Sequence, residues 1–261
     1  MRLLALESAT DLVGAALLGP DGGVAERSHL GGRAHAELLA PAVEEVCTLS
    51  GCALADVDAL AVDIGPGLFT GLRVGVATAK ALGQALGLGV LGVTSLDVLA
   101  AGAREAAGTG RAATVVAVVD ARRGEVFAAA YRFADGPGGA DGDGDPAGVR
   151  HDLPEALSPD ELVGWIDRWT ADGPVLVVGD GAVRYLDRVA PRPGVDVGLA
   201  AGVASPSPAV LARLAGRRLA AGAVPVSPVD LVPEYRRHAD ARINWEERAP
   251  QRPPPAAPDR T

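Results

Sequence analysis

Gly65-Pro66-Gly67-Leu68-Phe69-Thr70-Gly71-Leu72-Arg73-Val74-Gly75 is the stretch on which the reading of this chain turns. The apolar run Ala59-Leu60-Ala61-Val62 leads into it and predicts a strand over 59–64. Gly65 and Gly67 flank a proline, a composition that breaks the strand into a tight turn. Thr70 then stands where it can cap a helix over 70–86. A strand, a glycine turn and a helix start can together hold an anion, because free backbone N–H groups point out of such a place.

The helix after the turn points to packing instead. Gly71, Gly75, Ala79, Gly83 and Gly87 recur at every fourth residue and leave a row with almost no side chains. Each helical glycine costs about 0.5–1 kcal/mol relative to alanine, so the row needs a compensating gain. Close approach of another helix into a flat groove supplies one. That neighbour belongs either to the same chain or to a second subunit, and both readings stand at this point.

Working outward, Leu3–Leu6 and Val13–Leu18 read as strands, and Pro20-Asp21-Gly22-Gly23 turns the chain into a third over Val24–Glu26. A helix is expected from about 34 to 49, with Pro41 kinking it or marking its start. Val90–Val93 predicts a strand, followed by a helix from Thr94-Ser95. A second lobe opens near residue 111. It has strands at Thr114–Val119, Val126–Phe133 and Val175–Val178, and helices at Ser158–Trp169 and Ser207–Ala221. Trp165 and Trp169, one turn apart, read as core. Residues 134–148 read as a mobile acidic loop, and the proline-rich tail from Ala249 as extended or disordered. A meander followed by helix, strand and helix, roughly twice over, is a two-lobed α/β pattern.

Several motifs, taken in chain order, resemble one family. Gly65–Gly75 resembles the GPGSFTGLRIG signature of the TsaB family, the accessory subunits of bacterial threonylcarbamoyladenosine synthesis on tRNA. Leu3–Thr10 is similar to its opening strand and loop, and His35-Ala36-Glu37-Leu38-Leu39-Ala40-Pro41 to its first helix. Asp120-Ala121-Arg122-Arg123-Gly124-Glu125-Val126-Phe127 is similar to its IDAR-x-GEVY segment, and Pro233-Glu234-Tyr235-Arg236-Arg237 to its P-x-Y-x-R motif. The resemblance spans about residues 1 to 245. It implies an actin-like ATPase (ASKHA) fold with ribonuclease H-like lobes: an N-terminal lobe over 1–105, a C-terminal lobe over 106–230 and a C-terminal segment with its tail over 231–261.

The resemblance also implies a role without chemistry of its own. The expected subunit is a non-catalytic, cytoplasmic scaffold that pairs with TsaD, receives the P-loop ATPase TsaE on the assembled pair, and forms a homodimer when alone. ATP and metal would be used by the partners, tRNA would be met only indirectly, and no membrane is involved. The expected partner surface comprises Gly71, Leu72, Gly75, Val76, Ala79 and Gly83 with His35 and Leu39, so that Gly75→Leu should block pairing and leave the monomer folded. The candidate anion- or nucleotide-binding residues are Glu7, Ser8, Thr10, Gly65, Gly67 and Thr70. Glu7 stands where the family more often has aspartate, and Leu68 stands where it has serine, which removes a hydroxyl donor. The rival readings are a small actin-like kinase or ATPase using Glu7, the glycine turn and Asp180, and a free-standing homodimeric binding protein.

Composition narrows the field. Of the 261 residues, 48% are hydrophobic and 22% charged, as in a globular chain with a real core. Net charge is −9 and the only lysine is Lys80, so the chain is not built as a main RNA binder, whose affinity rests on basic side chains. An acidic surface suits a basic protein partner better. No apolar run is long enough to span a bilayer. Cys47 and Cys52 read as reduced thiols rather than a framework disulfide. No two of His29, His35, His151 and His238 stand three or four residues apart, so the metal-binding HxxxH pair carried by TsaD is missing. Asp141, Asp143 and Asp145 imitate the start of a calcium loop, but Pro146 and Asp152 stand where glycine and glutamate are needed. There is no G-x-S-x-G elbow for nucleophilic catalysis. Asp120, Glu125, Arg122 and Arg123 read as an ion-pair network or a partner-facing surface.

Overall fold

Two five-stranded sheets with the same layout organise the chain. The computed structural model describes residues 1–32, 34–107, 114–133, 145, 147–152, 156–200 and 202–236. In the first sheet β1 (Leu3–Glu7), β2 (Leu12–Leu18), β3 (Val24–Leu30), β4 (Ala59–Asp63) and β5 (Val90–Val93) take the order β3-β2-β1-β4-β5. In the second, β6 (Thr114–Arg122), β7 (Glu125–Arg132), β8 (Val149–Asp152), β9 (Val175–Val178) and β10 (Val195–Val197) take the order β10-β9-β6-β7-β8. In each sheet the first three strands form an antiparallel meander and the last two run parallel to the first. This repeat is the two-lobed, ribonuclease H-like α/β architecture expected from the sequence.

Seven helices complete the described fold: α1 (His35–Leu49), α2 (Phe69–Leu86), α3 (Ser95–Ala107), α4 (Pro159–Thr170), α5 (Asp180–Arg184), α6 (Leu186–Val189) and α7 (Pro208–Ala220). None is long and apolar enough to cross a membrane. β1 is buried along its whole length, which explains its unbroken apolar run. Its side chains alternate between two cores. Leu4 and Leu6 meet residues of α1 and α2, while Leu3 and Ala5 meet α3, α7 and the second sheet.

That shared core cuts across the expected lobe boundary. α7 lies over β1, β2 and β3 of the first sheet, and α3 packs on β6 of the second. A buried ionic knot joins them. Asp97 of α3 accepts from Arg218 of α7 at 2.9 Å, from Arg150 of β8 at 3.0 Å and from the Tyr131 hydroxyl of β7 at 2.7 Å. After α7 the chain returns to the first lobe, where Val226 pairs with Val90 and the Glu234 N–H donates to the Ile64 carbonyl at 2.7 Å.

Local expectations met mixed outcomes. Pro41 lies inside α1, and the helix runs through it. Thr70 does not cap α2: the N-cap is Leu68, no side chain caps the turn, and Thr70 is the second helical residue, exposed to solvent. Ser158 does cap α4, in a reciprocal box with Glu161. Trp165 is core, and Trp169 meets it edge-on at 5.8 Å. Most of 134–148, with Asp141 and Asp143 of the calcium-loop imitation, lies outside the described residues, as does the tail from residue 237.

Candidate functional site

The glycine motif is filled by the chain's own backbone. β4 ends at Asp63, and the chain turns through Gly65, with φ of 104°, into α2. The loop between β1 and β2 drops onto this turn. The Leu68 N–H, a donor that an anion at this turn would need, donates to the Ala9 carbonyl at 2.7 Å. A Cβ on Gly67 would stand 2.1 Å from the Ala9 carbonyl oxygen, and one on Gly71 would stand 2.1 Å from that of Ser8. One on Gly75 would stand 2.3 Å from Ser8 Oγ, and one on Gly83 2.8 Å from Pro228 and 2.9 Å from the Leu88 carbonyl. Along α2 the bare row therefore receives other parts of the same chain.

This corrects the expected partner surface. Gly71, Leu72, Gly75, Val76, Ala79 and Gly83 are the buried face of α2, and His35 and Leu39 belong to the buried face of α1. None of the eight is offered outward. Gly75→Leu would collide with Ser8 inside the lobe, so it is not a clean probe of pairing. The outward faces of α1 and α2 instead border an apolar groove of about 520 Å³, lined by Ala40, Val43, Cys47, Leu54, Thr78 and Leu82 among others.

The candidate anion-binding residues also turn inward. Ser8 Oγ donates to the Gly71 carbonyl at 2.9 Å. Thr10 Oγ1 accepts from the Leu12 N–H at 3.3 Å, and the Thr10 carbonyl accepts from His35 Nε2 at 2.7 Å. Glu7 is fully buried, with Oε1 accepting from the Ala9 N–H at 2.8 Å. Its neighbour is Asp63, whose Oδ1 accepts from the Gly65 N–H and from Ser95 Oγ, both at 2.7 Å. The outer oxygens, Glu7 Oε2 and Asp63 Oδ2, have no other donor. Burial, then the charge of Asp63, pushes Glu7 well above the carboxylate range, and burial raises Asp63 to about 6. Both shifts favour the protonated form of a carboxyl buried beside another.

Asp180 is committed to the other lobe. It opens α5, and its Oδ1 accepts from the Asp120 N–H at 3.0 Å. Burial is the main cause that pushes its pKa up to about 7. Among the described residues no cluster of three or more histidine, cysteine, aspartate or glutamate side chains could hold a metal ion.

The structure brings together three motifs that the sequence keeps apart. A cleft of about 710 Å³ is lined by Pro66–Phe69, Leu72 and Arg73 of the glycine motif, by Ala121–Arg123 and Phe127 of the β6–β7 hairpin, and by Glu234–Arg236 of the returning C-terminal segment. Arg122 and Arg123 take positive φ, 63° and 56°, at the hairpin turn. Arg122 reaches across to Asp11 of the first lobe at 2.7 Å and back to buried Asp120 at 3.2 Å, the ion-pair network expected for this hairpin. Phe69 and Tyr235, both half exposed, stack at 5.3 Å. The Arg73 guanidinium lies 3.8 Å over the Phe69 ring, and its Nε donates to the Tyr235 hydroxyl at 3.3 Å. Phe69 and Arg73 belong to the glycine motif and Tyr235 to the P-x-Y-x-R motif. The sequence shows these two motifs apart, and only the fold shows that they form one platform.

Known proteins share sequence and fold with this chain. A family model described as TsaD, tRNA N6-adenosine threonylcarbamoyltransferase, matches residues 15–138. The tRNA threonylcarbamoyladenosine biosynthesis protein TsaB of Bacillus subtilis is 30% identical over 251 residues, covering 94% of this chain and 98% of its own. The Escherichia coli protein of the same name is 40% identical over 132 residues, and that match spans only about half of either chain, 51% of this one and 55% of the relative. Among solved structures, YeaZ from Pseudomonas aeruginosa superposes with a TM-score of 0.68 at 31% identity, covering 90% of this chain and 99% of its own.

Proposed function

Because the chain belongs to the TsaB family, we propose that it is a non-catalytic scaffold subunit in the formation of N6-threonylcarbamoyladenosine on tRNAs that read codons beginning with A. In this reading it pairs with TsaD, the pair receives TsaE, and the lone chain forms a homodimer in the cytoplasm. The partner performs the transfer, and ATP and metal act there. One observation carries the non-catalytic part. The place where an actin-like ATPase would cradle phosphate is occupied by the carbonyls of Ser8 and Ala9, and the acid at the end of β1 is fully buried and accepts from the Ala9 N–H. The net charge of −9 suits a protein partner rather than RNA.

The pairing surface in this proposal is the outward α1–α2 groove, not the glycine row. Co-purification with TsaD tests it. Ala40→Arg places a charge on an exposed groove residue, and should abolish capture while leaving the melting temperature unchanged. Undiminished capture of this variant would remove the groove from the proposal. Calorimetric titration of the lone chain with ATP and magnesium tests the rest, and binding accompanied by turnover would favour the kinase reading.

A further inference from the structure

The end of α1 is closed by a Schellman motif whose two contacting positions are both cysteines. With Ser50 as the C-cap, Cys47 is the third residue from the helix end and Cys52 lies two beyond the cap. Gly51 between them takes φ of 58°. The Cys52 N–H donates to the Cys47 carbonyl at 3.0 Å, and the Gly51 N–H to the Thr48 carbonyl at 3.2 Å, the two bonds that define the motif. Side chains at these two positions ordinarily touch through an apolar contact. The backbone hydrogen bond also holds their Cα atoms within about 7 Å at most, overlapping the ~4.4–6.8 Å window that a disulfide needs.

Two further observations place the thiols together. Both are free of a disulfide and half-buried, Cys52 Sγ donating to the Ala53 carbonyl at 3.3 Å, and both line the groove between α1 and α2. Burial, and then the neighbouring Cys52, pushes the Cys47 thiol above its ordinary value, so the two groups sense one another.

We propose that Cys47 and Cys52 are a reversible redox pair, oxidised by a small-molecule disulfide to an intramolecular disulfide across the end of α1 and restored by thiols. Cys52, which lies beyond the helix end, is the entry point. The Cys52 thiolate, its proton lost to solvent, attacks one sulfur of RSSR. The S–S bond of the reagent breaks, a mixed disulfide forms, and RS⁻ leaves and takes up a proton. Cys47 then gives up its proton and attacks Cys52 Sγ, expelling the second RS⁻. Two protein thiols lose two electrons and two protons, and one RSSR becomes two RSH. The closed form fixes the helix end and alters one wall of the groove. The inference holds whether or not that groove receives TsaD.

The test uses the full reduced chain equilibrated with reduced and oxidised glutathione at graded ratios, quenched in acid, alkylated and weighed intact. The expected product has lost two hydrogens, resists alkylation, retains no glutathione and appears with a two-electron dependence on the ratio. Cys47→Ser and Cys52→Ser should each trap one stable glutathione on the remaining cysteine. A wild-type chain that keeps its glutathione adducts would overturn the proposal. So would one that stays fully alkylatable at every ratio, or one that links to a second chain instead.

Discussion

Gly71→Ala puts the inward glycine row to its sharpest test. The new Cβ would stand 2.1 Å from the Ser8 carbonyl oxygen, more than an ångström inside ordinary contact. Ser8 cannot easily yield. Its hydroxyl is tied to the Gly71 carbonyl at 2.9 Å, and the next residue is held by the Leu68 N–H at 2.7 Å and by Glu7 at 2.8 Å. Overpacking of this kind costs about 1–3 kcal/mol or more. Alanine's helix preference returns at most about 1 kcal/mol. Gly164→Ala is the matched control, since it is helical, exposed and has no atom within 4 Å of the added Cβ. It should stabilise by about 0.5–1 kcal/mol. At roughly 2–4 °C per kcal/mol for a chain of this size, thermal melts should move in opposite directions, down for Gly71→Ala and up for Gly164→Ala. If Gly71→Ala melts like the control and loses only its capture of TsaD, the row faces a partner and the inward reading is refuted.

Three further outcomes follow from the same geometry. Asp180 has a folded pKa raised to about 7, so its contribution to stability is complete below the unfolded aspartate value and is lost as pH rises through 7. Asp180→Asn keeps the acceptor for the Asp120 N–H and should flatten urea-measured stability between pH 5 and pH 8, gaining about 1–3 kcal/mol at the upper end. Asp97→Ala removes the acceptor shared by Arg218, Arg150 and Tyr131, while Arg218 keeps Asp145 and Arg150 keeps Thr94, and should cost about 1.5–3 kcal/mol in denaturant titration. Ser158→Ala removes the cap of α4 and should cost about 0.5–2 kcal/mol by the same assay.

The elements legible in the sequence were those with a strong period and clear punctuation. Val90–Val93 and Val175–Val178 emerged as strands with the expected bounds because each is an apolar run stopped by turn or capping residues. β10 is only Val195-Asp196-Val197 on a sheet edge, and β8 is the polar Val149-Arg150-His151-Asp152, so neither carries an alternation long enough to read. α5 and α6 are five and four residues long, too short to show a helical stripe. The lobe assignment of α7 was equally hidden. Its apolar face says that it packs, and only topology says that it packs on a sheet begun 200 residues earlier.

The same limit governs the site, and it explains why the glycine motif allows both a phosphate reading and a partner reading from sequence alone. Small residues announce that something comes close, but they do not announce what. A phosphate, a partner helix and the chain's own carbonyl make the same demand for an absent Cβ. What separates them is the loop between β1 and β2, whose Ser8 and Ala9 carbonyls complete the α2 turn from 60 residues away. Once those carbonyls occupy the turn, an anion must compete with hydrogen bonds already made inside the protein. The open cationic and aromatic groups then lie farther along α2, where Arg73 rests on Phe69 and Tyr235 in the cleft. A ligand that meets this chain between its lobes therefore meets that platform beside Gly67, whose turn the chain has already filled.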